Sequence, residues 1–359
     1  MKKHIKWDQP DIRQEEIDEV VNSLKTGYVG ANGPQVKKFE KEFASKVGAK
    51  YAIAVNNGTS ALLCALLALK YKLGKDILKV GIPTFTFIAT ANVAFILGQK
   101  IKLIDCNKQT WNIEQKLIPP DIDLLIPVDV GGLPCDYDSL RKLNIPIIAD
   151  SAESLGAKYK GQLIGTQADV HIFSLHRAKI ITTGEGGMIT TNNKELYELM
   201  RSLANHGYDP QRNMWEYRHF IPALNFRMVE TQASIGLIQL KRLDEYIRAR
   251  REKARIYKDI LQDMVTYQYE PKDCLHPYFF FGILINKNLT TFCQKMYREG
   301  IEVRTWTPIH RQRPYRHLNN NNLKNADWIA ERIVLLPIHN KLTEEETIYV
   351  AERVKALLK

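Results

Sequence analysis

From about residue 50 the chain alternates short β-rich runs with helical stretches, a pattern that admits few folds other than a mostly parallel sheet covered by helices. Residues 50–55, 79–82, 101–104, 124–128, 145–149, 170–174 and 188–191 read as strands. Several are nearly continuously apolar, as strands buried on both faces are. Between them, residues 59–72 read as a helix entered from a Gly-Thr-Ser turn, and 89–97 as another. The expected fold class is α/β: three α/β/α layers around a mostly parallel seven-stranded sheet, with a smaller carboxyl-terminal α+β unit.

The texture changes near residue 230. Residues 230–259 carry one long helical pattern with Ile235, Ile238, Leu243 and Ile247 apolar, and the run RARREKAR at 248–255 reads as its solvated face. After Gln262 come a strand at 278–285, a helix at 289–299 and a strand at 302–306. The chain of 359 residues thus divides into a large unit with an amino-terminal arm, 1–240, and a linking helix plus small unit, 241–359. The polar asparagine run at 319–322 reads as an exposed loop.

Composition narrows the partners. There are 51 Lys and Arg against 40 Asp and Glu, a net charge of +11. That excess fits nucleic acid, small anionic substrates or an ordinary solvated surface, and motifs must decide among them. The five cysteines form no Cys-x-x-Cys pair and have no His at zinc-ligand spacing, so neither a disulfide framework nor a metal is expected. The first residues, MKKHIKWDQPDIRQEE, lack an apolar signal core, and the longest apolar run, 61–69, is far short of a bilayer span. A reducing cytoplasm and no membrane partner are expected.

Open α/β sheets bind ligands at the carboxyl ends of their strands. Asn56-Asn57-Gly58-Thr59-Ser60 lies at such an end, where a tight turn and helical N–H groups suit a phosphate. Asp150 ends an apolar strand, either as a functional carboxylate or as a helix cap. Lys179 follows the strand ending at Ser174 and precedes Gly184-Glu185-Gly186-Gly187; a lysine desolvated there is a candidate amine nucleophile. No Gly-x-Gly-x-x-Gly opens a helix, and Gln162 follows Gly161 where a phosphate loop needs Lys.

Together SLHRAKIITTGEGG, ADSAESLGAKYKG, VNNGTSALLCAL, PTFTFIATANV and LNFRMVETQASIGLIQL resemble the motif set of the DegT/DnrJ/EryC1/StrS sugar aminotransferases, enzymes of the aspartate aminotransferase fold that use pyridoxal 5'-phosphate. The resemblance extends from about Asp11 to PIHNKLTEEE near the carboxyl end. It implies that Lys179 forms the Schiff base with the cofactor and shuttles protons, and that Asp150 pairs with the pyridinium nitrogen and keeps it protonated. Phe87 would stack on the ring, with core packing as its alternative role. Gly58, Thr59 and Ser174 would hold the phosphate, joined by Asn225 from a neighbouring subunit, which makes the expected unit a homodimer with shared sites.

Glu153 stands where many members of that family carry Gln or His beside the phenolic oxygen of the cofactor. A deprotonated glutamate would repel a phenolate, so it is protonated, contacts another group, or alters the ring. Asp129 likewise stands where His is frequent, and its role is open. His176, Arg227, His310 and Arg304 are candidate groups for substrate carboxylate or diphosphate, or structural residues.

The resemblance implies transfer of an amino group from glutamate to a nucleotide-linked keto sugar. The ITTGEGGM motif and the Asp-x-x-Glu spacing look most like perosamine and viosamine synthases, favouring a 4-keto-6-deoxyhexose; a 3-keto sugar is the alternative. The family's sugar dehydratases replace the lysine with histidine, which Lys179 argues against. A DNA-contacting regulator would need an appended helix-turn-helix, and the matched motifs leave no room for one.

Overall fold

The computed structural model describes residues 4–359 apart from 32, 210, 212, 214, 320 and 321, so the middle of the asparagine run at 319–322 lies outside the described residues. Helices α1 (Gln14–Lys25) and α2 (Pro34–Val47) precede the sheet. Then β1 (Tyr51–Val55), α3 (Gly58–Leu73), β2 (Lys79–Pro83), α4 (Ala89–Ile96), β3 (Lys100–Ile104), β4 (Leu124–Leu125), α5 (Tyr137–Arg141) and β5 (Ile148–Asp150) follow. A hairpin of β6 (Lys158–Tyr159) and β7 (Gln162–Leu163) leads to β8 (Val170–Ser174), β9 (Gly187–Thr191) and α6 (Lys194–Leu203).

The strands lie side by side in the order β3-β2-β4-β5-β8-β9-β1. All run parallel except β9, which is antiparallel to both neighbours. Strands β4 and β5 are shorter than the sequence suggests because Pro127 and Pro146 have no N–H to give the ladder. Parallel bridges at Leu125–Ile147 and Val128–Asp150 nevertheless keep the two halves together. Period-2 alternation sends Ile53, Val55, Ile148, Val170, Ile172 and Ile189 into the layer with α3, α4 and α6. Ala52, Ala54, Ile147, Ala149, Phe173 and Met188 go to the opposite layer with α2 and the helix that begins at Glu230. Each fully buried Ile contributes about 1.5–3 kcal/mol, which fixes the register of strands that lack a polar face.

The expected single helix at 230–259 is two: α7 (Glu230–Lys241) and α8 (Leu243–Leu261). At Arg242 the N–H bonds Gln239 O, a tightened turn, while the guanidinium reaches Glu15 and Glu16 on α1 at 2.6 and 2.7 Å. α7 packs on the large unit and α8 continues toward the carboxyl-terminal core.

Beyond α8, β10 (Thr266–Tyr267), β11 (Cys274–Leu275), β12 (Phe281–Leu284), α9 (Leu289–Arg298), α10 (Lys324–Ala330), β13 (Ile333–Leu336) and α11 (Glu344–Leu358) follow. β10, β12 and β13 form an antiparallel sheet with its own core, which also takes in Ile5 from the amino-terminal arm. The strand expected at 278–285 begins only at Phe281 because Tyr278 has φ +53°, outside the β region. The strand expected at 302–306 is reduced to one bridge between Arg304 and Leu335, since Glu302 N bonds Ile5 O instead. Ile309, Tyr315 and Leu323 return to the large unit's core. Among the described residues no helix is long and apolar enough to cross a membrane.

Candidate active site

The carboxyl ends of β1, β5 and β8 bring the sequence motifs together. β1 hands directly into α3, whose Asn57 caps the helix by accepting from Ser60 N at 2.8 Å. The N–H groups of Gly58 and Thr59 in its first turn have no helical acceptor and carry the positive end of the helix dipole. Ser174, at the end of β8, packs so closely that a Cβ on Gly58 would stand 2.9 Å from Ser174 Cβ. Only glycine permits that approach. Beside it, Asn56 Oδ1 is buried without a hydrogen-bond partner.

Asp150 closes β5 next to β8, paired in register with Ile172. Its Oδ2 accepts from Thr90 Oγ1 at 2.8 Å and its Oδ1 from Ala152 N at 3.2 Å. Burial pushes this carboxyl above the usual range, against the pull of Thr90, the Ala152 N–H and Lys179. It is not a helix cap, since no helix starts there.

Lys179 sits in the loop between β8 and β9 with its Nζ 3.7 Å from Glu153 Oε1 and 4.0 Å from the centroid of the Phe279 ring. Burial lowers the amine's pKa and is opposed by Glu153 and Asp150. Burial raises Glu153, opposed chiefly by Lys179 and by the Gly131 N–H that donates to Oε2 at 2.8 Å. Burial thus drives each partner toward its neutral form, and the charge of each draws the other back toward ionisation. Gly131 has φ +70°, and a Cβ there would meet Gln268 and Phe280 at 2.9–3.0 Å, so the donor's position depends on glycine.

Phe87 is 63% exposed on the loop before α4, which removes core packing as its role. Asn225 is exposed, its Oδ1 accepting only from Arg227 N at 3.2 Å among the contacts described. His176 is half-exposed, 3.8 Å from Glu185. Arg227 bonds Asn205 Oδ1. Arg304 lies over the Trp7 ring at 5.7 Å and bonds Tyr297 and Glu302.

The structure corrects His310. It is 2% exposed, with Nδ1 2.7 Å from Thr84 Oγ1 and Nε2 2.9 Å from Asp327 Oδ1. The two ring nitrogens fasten the 309–311 turn to the end of β2 on one side and to α10 on the other, leaving none for a substrate. Asp129 is resolved too: it is wholly buried and accepts from Ser154, Ser151, Tyr137 and the Cys135 N–H at 2.6–3.0 Å. It braces the two loops that carry Glu153 and Gly131 and does not touch Lys179.

Thr90, Gly131 and Phe279 were missed by the sequence. Thr90 lies within the quoted PTFTFIATANV motif, but its partner Asp150 is 60 residues away. Phe279 is one of four consecutive aromatics, 278–281, with nothing to single it out.

The donors fit a phosphate-bearing aromatic aldehyde. The N–H groups of a glycine-dependent helix terminus and the Ser174 hydroxyl suit an anion, the buried Asp150 carboxyl suits a cationic ring nitrogen, and the depressed Lys179 amine suits an aldehyde. Comparison with known proteins agrees, for a model of the DegT/DnrJ/EryC1/StrS aminotransferase family matches residues 10–355. The chain belongs to that family. This aminotransferase is 35% identical to the GDP-perosamine synthase of Caulobacter vibrioides, over 94% of each chain. It is 31% identical to the UDP-4-amino-4,6-dideoxy-N-acetyl-β-L-altrosamine transaminase of Campylobacter jejuni, over 99% of this chain and 97% of the other. A putative sugar aminotransferase from Streptococcus pneumoniae, solved in its PLP form, superposes with a TM-score of 0.91 at 26% identity over 99% of both chains. The cofactor of this aminotransferase is pyridoxal phosphate.

Proposed function

We propose that this enzyme moves an amino group from glutamate to a nucleotide-linked 4-keto-6-deoxyhexose, giving 2-oxoglutarate and a nucleotide-linked 4-amino-4,6-dideoxy sugar. The observation that carries the reading is near-full-length similarity, at 31–35% identity, to a perosamine synthase and to a transaminase whose name specifies a UDP-linked 4-amino-4,6-dideoxy sugar. Pyridoxal phosphate, when bound, supplies an aldehyde that accepts amino groups and a ring that accepts electrons.

The protein's own groups do the rest. Gly58, Thr59 and Ser174 hold the phosphate, and Phe87, exposed at the mouth, covers one face of the ring. Asp150 holds the proton of the ring nitrogen. Lys179 Nζ takes a proton from the carbon bearing the glutamate nitrogen and later returns one at the sugar carbon, with Glu153 next to it as a proton store. Asn225 serves the site of a second copy, so the working unit is a homodimer, in the cytoplasm. The +11 charge favours approach of a nucleoside diphosphate.

A substrate panel tests this: glutamate with UDP-, dTDP- and GDP-linked 4-keto-6-deoxyhexoses and a 3-keto sugar, products identified by mass and NMR. Amination at C4 supports the proposal, and turnover of the 3-keto sugar alone refutes it. Borohydride reduction should fix the cofactor on Lys179, and Lys179→Ala should abolish turnover without unfolding the chain.

A further inference from the structure

The RARREKAR segment, which its sequence marks as a solvated helix face, is one only in part: Arg248, Glu252 and Arg255 are exposed, but Arg250 is 3% and Lys253 7% exposed on α8. Arg250 is the more unusual of the two. Burial alone acts on its guanidinium, pushing it down to about 9, so it keeps its charge at neutral pH with no carboxylate to offset it. A charge taken from water without a counter-ion is costly, and an apolar side chain would pack there more cheaply.

Its donors converge on few acceptors. Nη1 donates to Tyr278 O at 3.0 Å and Phe279 O at 3.1 Å, and Nε donates to Asn340 Oδ1 at 3.0 Å. Asn340 in turn donates from Nδ2 to Ile180 O at 3.1 Å. One hydrogen-bonded line therefore runs from the residue after Lys179, through Asn340 and Arg250, to the backbone of Phe279. Those two ends are where the Lys179 amine meets the Phe279 ring at 4.0 Å.

A second costly feature lies on the same line. Tyr278 is held at φ +53°, in the left-handed region that a bulky residue avoids. Its N–H donates to His276 Nδ1 at 3.0 Å, and Phe279 N–H donates to Gly131 O at 2.9 Å. Every backbone polar group of residues 278 and 279 is thus engaged, which fixes the direction of the Phe279 side chain.

We infer that Arg250 and Asn340 form a bracket that fixes the Lys179 amine against the Phe279 ring, making Arg250 a positioning residue for the reactive lysine. The inference rests on the reading of Lys179 as that lysine. Arg250 touches neither substrate nor cofactor; it acts through Asn340 on one side and the 278–279 backbone on the other.

The test uses full-length Arg250→Met, Arg250→Lys, Asn340→Ala and the Arg250→Met/Asn340→Ala double variant, with Arg251→Met as control. Arg251 is the next residue on the helix but is 38% exposed and pairs with Glu270. Each chain, freed of cofactor, is arylated with fluorodinitrobenzene across a pH series, and labelling of the Lys179 peptide is followed by mass. Burial is the largest cause of the depressed amine, so loosening the wall admits water and raises the labelling midpoint by about half to one pH unit, which is about 3- to 10-fold slower labelling at neutral pH. In the loaded enzymes kcat should fall about 10-fold or more with KM for the amino donor within about twofold. The double variant should be no worse than the worse single, because both changes break one connection.

Arg250→Lys, which keeps charge but not the fork, should recover only part of the loss. A merely structural arginine would lower thermal stability and leave both the labelling midpoint and kcat at wild-type values; that result overturns the inference. So does an unshifted midpoint in Asn340→Ala, or additive losses in the double variant. If borohydride fixes the cofactor on another lysine, the functional reading fails, while the Lys179 midpoints still decide whether the bracket exists.

Discussion

Thr90→Val isolates one hydrogen bond at Asp150, the carboxylate proposed to face a cationic ring nitrogen. Thr90 is 1% exposed, and its hydroxyl donates to Asp150 Oδ2 at 2.8 Å. Valine keeps the β-branched shape and deletes only that donor. A hydrogen bond to a buried ionised group contributes about 1.5–3 kcal/mol, and at 1.36 kcal/mol per pH unit its loss moves the carboxyl by about one to two units. The direction is upward, because Thr90 is the strongest of the groups that oppose burial in setting Asp150. Cofactor affinity, measured by fluorescence titration from pH 5 to 9, should decline on the acid side with a midpoint about one to two units higher than in the parent. Thr86→Val serves as control, since Thr86 Oγ1 lies 3.4 Å from Thr90 Oγ1 and makes no recorded contact with Asp150. An unmoved midpoint, or one moved downward, would mean that Asp150 ionisation does not govern binding of the ring.

Other changes read separate parts of the site. Gly58→Ala drives a Cβ to 3.3 Å from Ser174 Cα, which is backbone and cannot swing away, so cofactor affinity should fall by about 5- to 150-fold for the 1–3 kcal/mol typical of overpacking, with circular dichroism unchanged. Mixing Lys179→Ala with Asn225→Ala chains, each inactive alone, should restore roughly one quarter of parent activity, because half of randomly paired dimers would hold one intact site; no recovery would place Asn225 in its own chain's site. Asp129, raised by burial from 3.8 to about 6, binds more protons folded than unfolded across that window. Its stabilising balance is thus present at low pH and lost as pH rises, about 3 kcal/mol in all, so urea unfolding should show the parent losing stability relative to Asp129→Asn between pH 4 and 6, and a parent that gains on the variant over that range would refute the sign.

The layers and the motif positions were legible because they depend on local patterns. Period-2 and 3.6-residue spacing located every strand of the main sheet to within a few residues, and strand-end placement singled out Gly58, Asp150 and Lys179. What failed depended on partners distant in sequence. The Arg242 break reflects Glu15 and Glu16 on α1, and the late start of β12 reflects the φ of Tyr278. His310 looked like a group for anions because a histidine after Thr-Pro-Ile carries no sign that Thr84 and Asp327 will take both its nitrogens. Arg250 is the clearest case: eight residues with five basic side chains read as surface, and only the third dimension shows that two of them, Arg250 and Lys253, are buried.

The single antiparallel strand in an otherwise parallel sheet has a chemical consequence. A parallel return from β8 would need a long crossover, usually helical, and would carry Lys179 away from the strand ends. Instead β9 comes back beside β8 directly, closing a short loop whose ends are pinned by Leu175 N to Gly186 O at 2.8 Å and Thr183 N to Leu175 O at 3.0 Å. Inside it, Lys179 N bonds His176 O at 2.8 Å, a turn that leaves the side chain little freedom to leave Glu153. β9 then pairs with β1, so the same strand that fixes the lysine loop borders the strand that delivers the turn at Asn57 and Gly58, the proposed phosphate site. The spacing between amine and anion cradle is thereby set by adjacent rungs of one sheet rather than by mobile loops, which is the condition under which a buried, costly lysine can be held where its chemistry is needed.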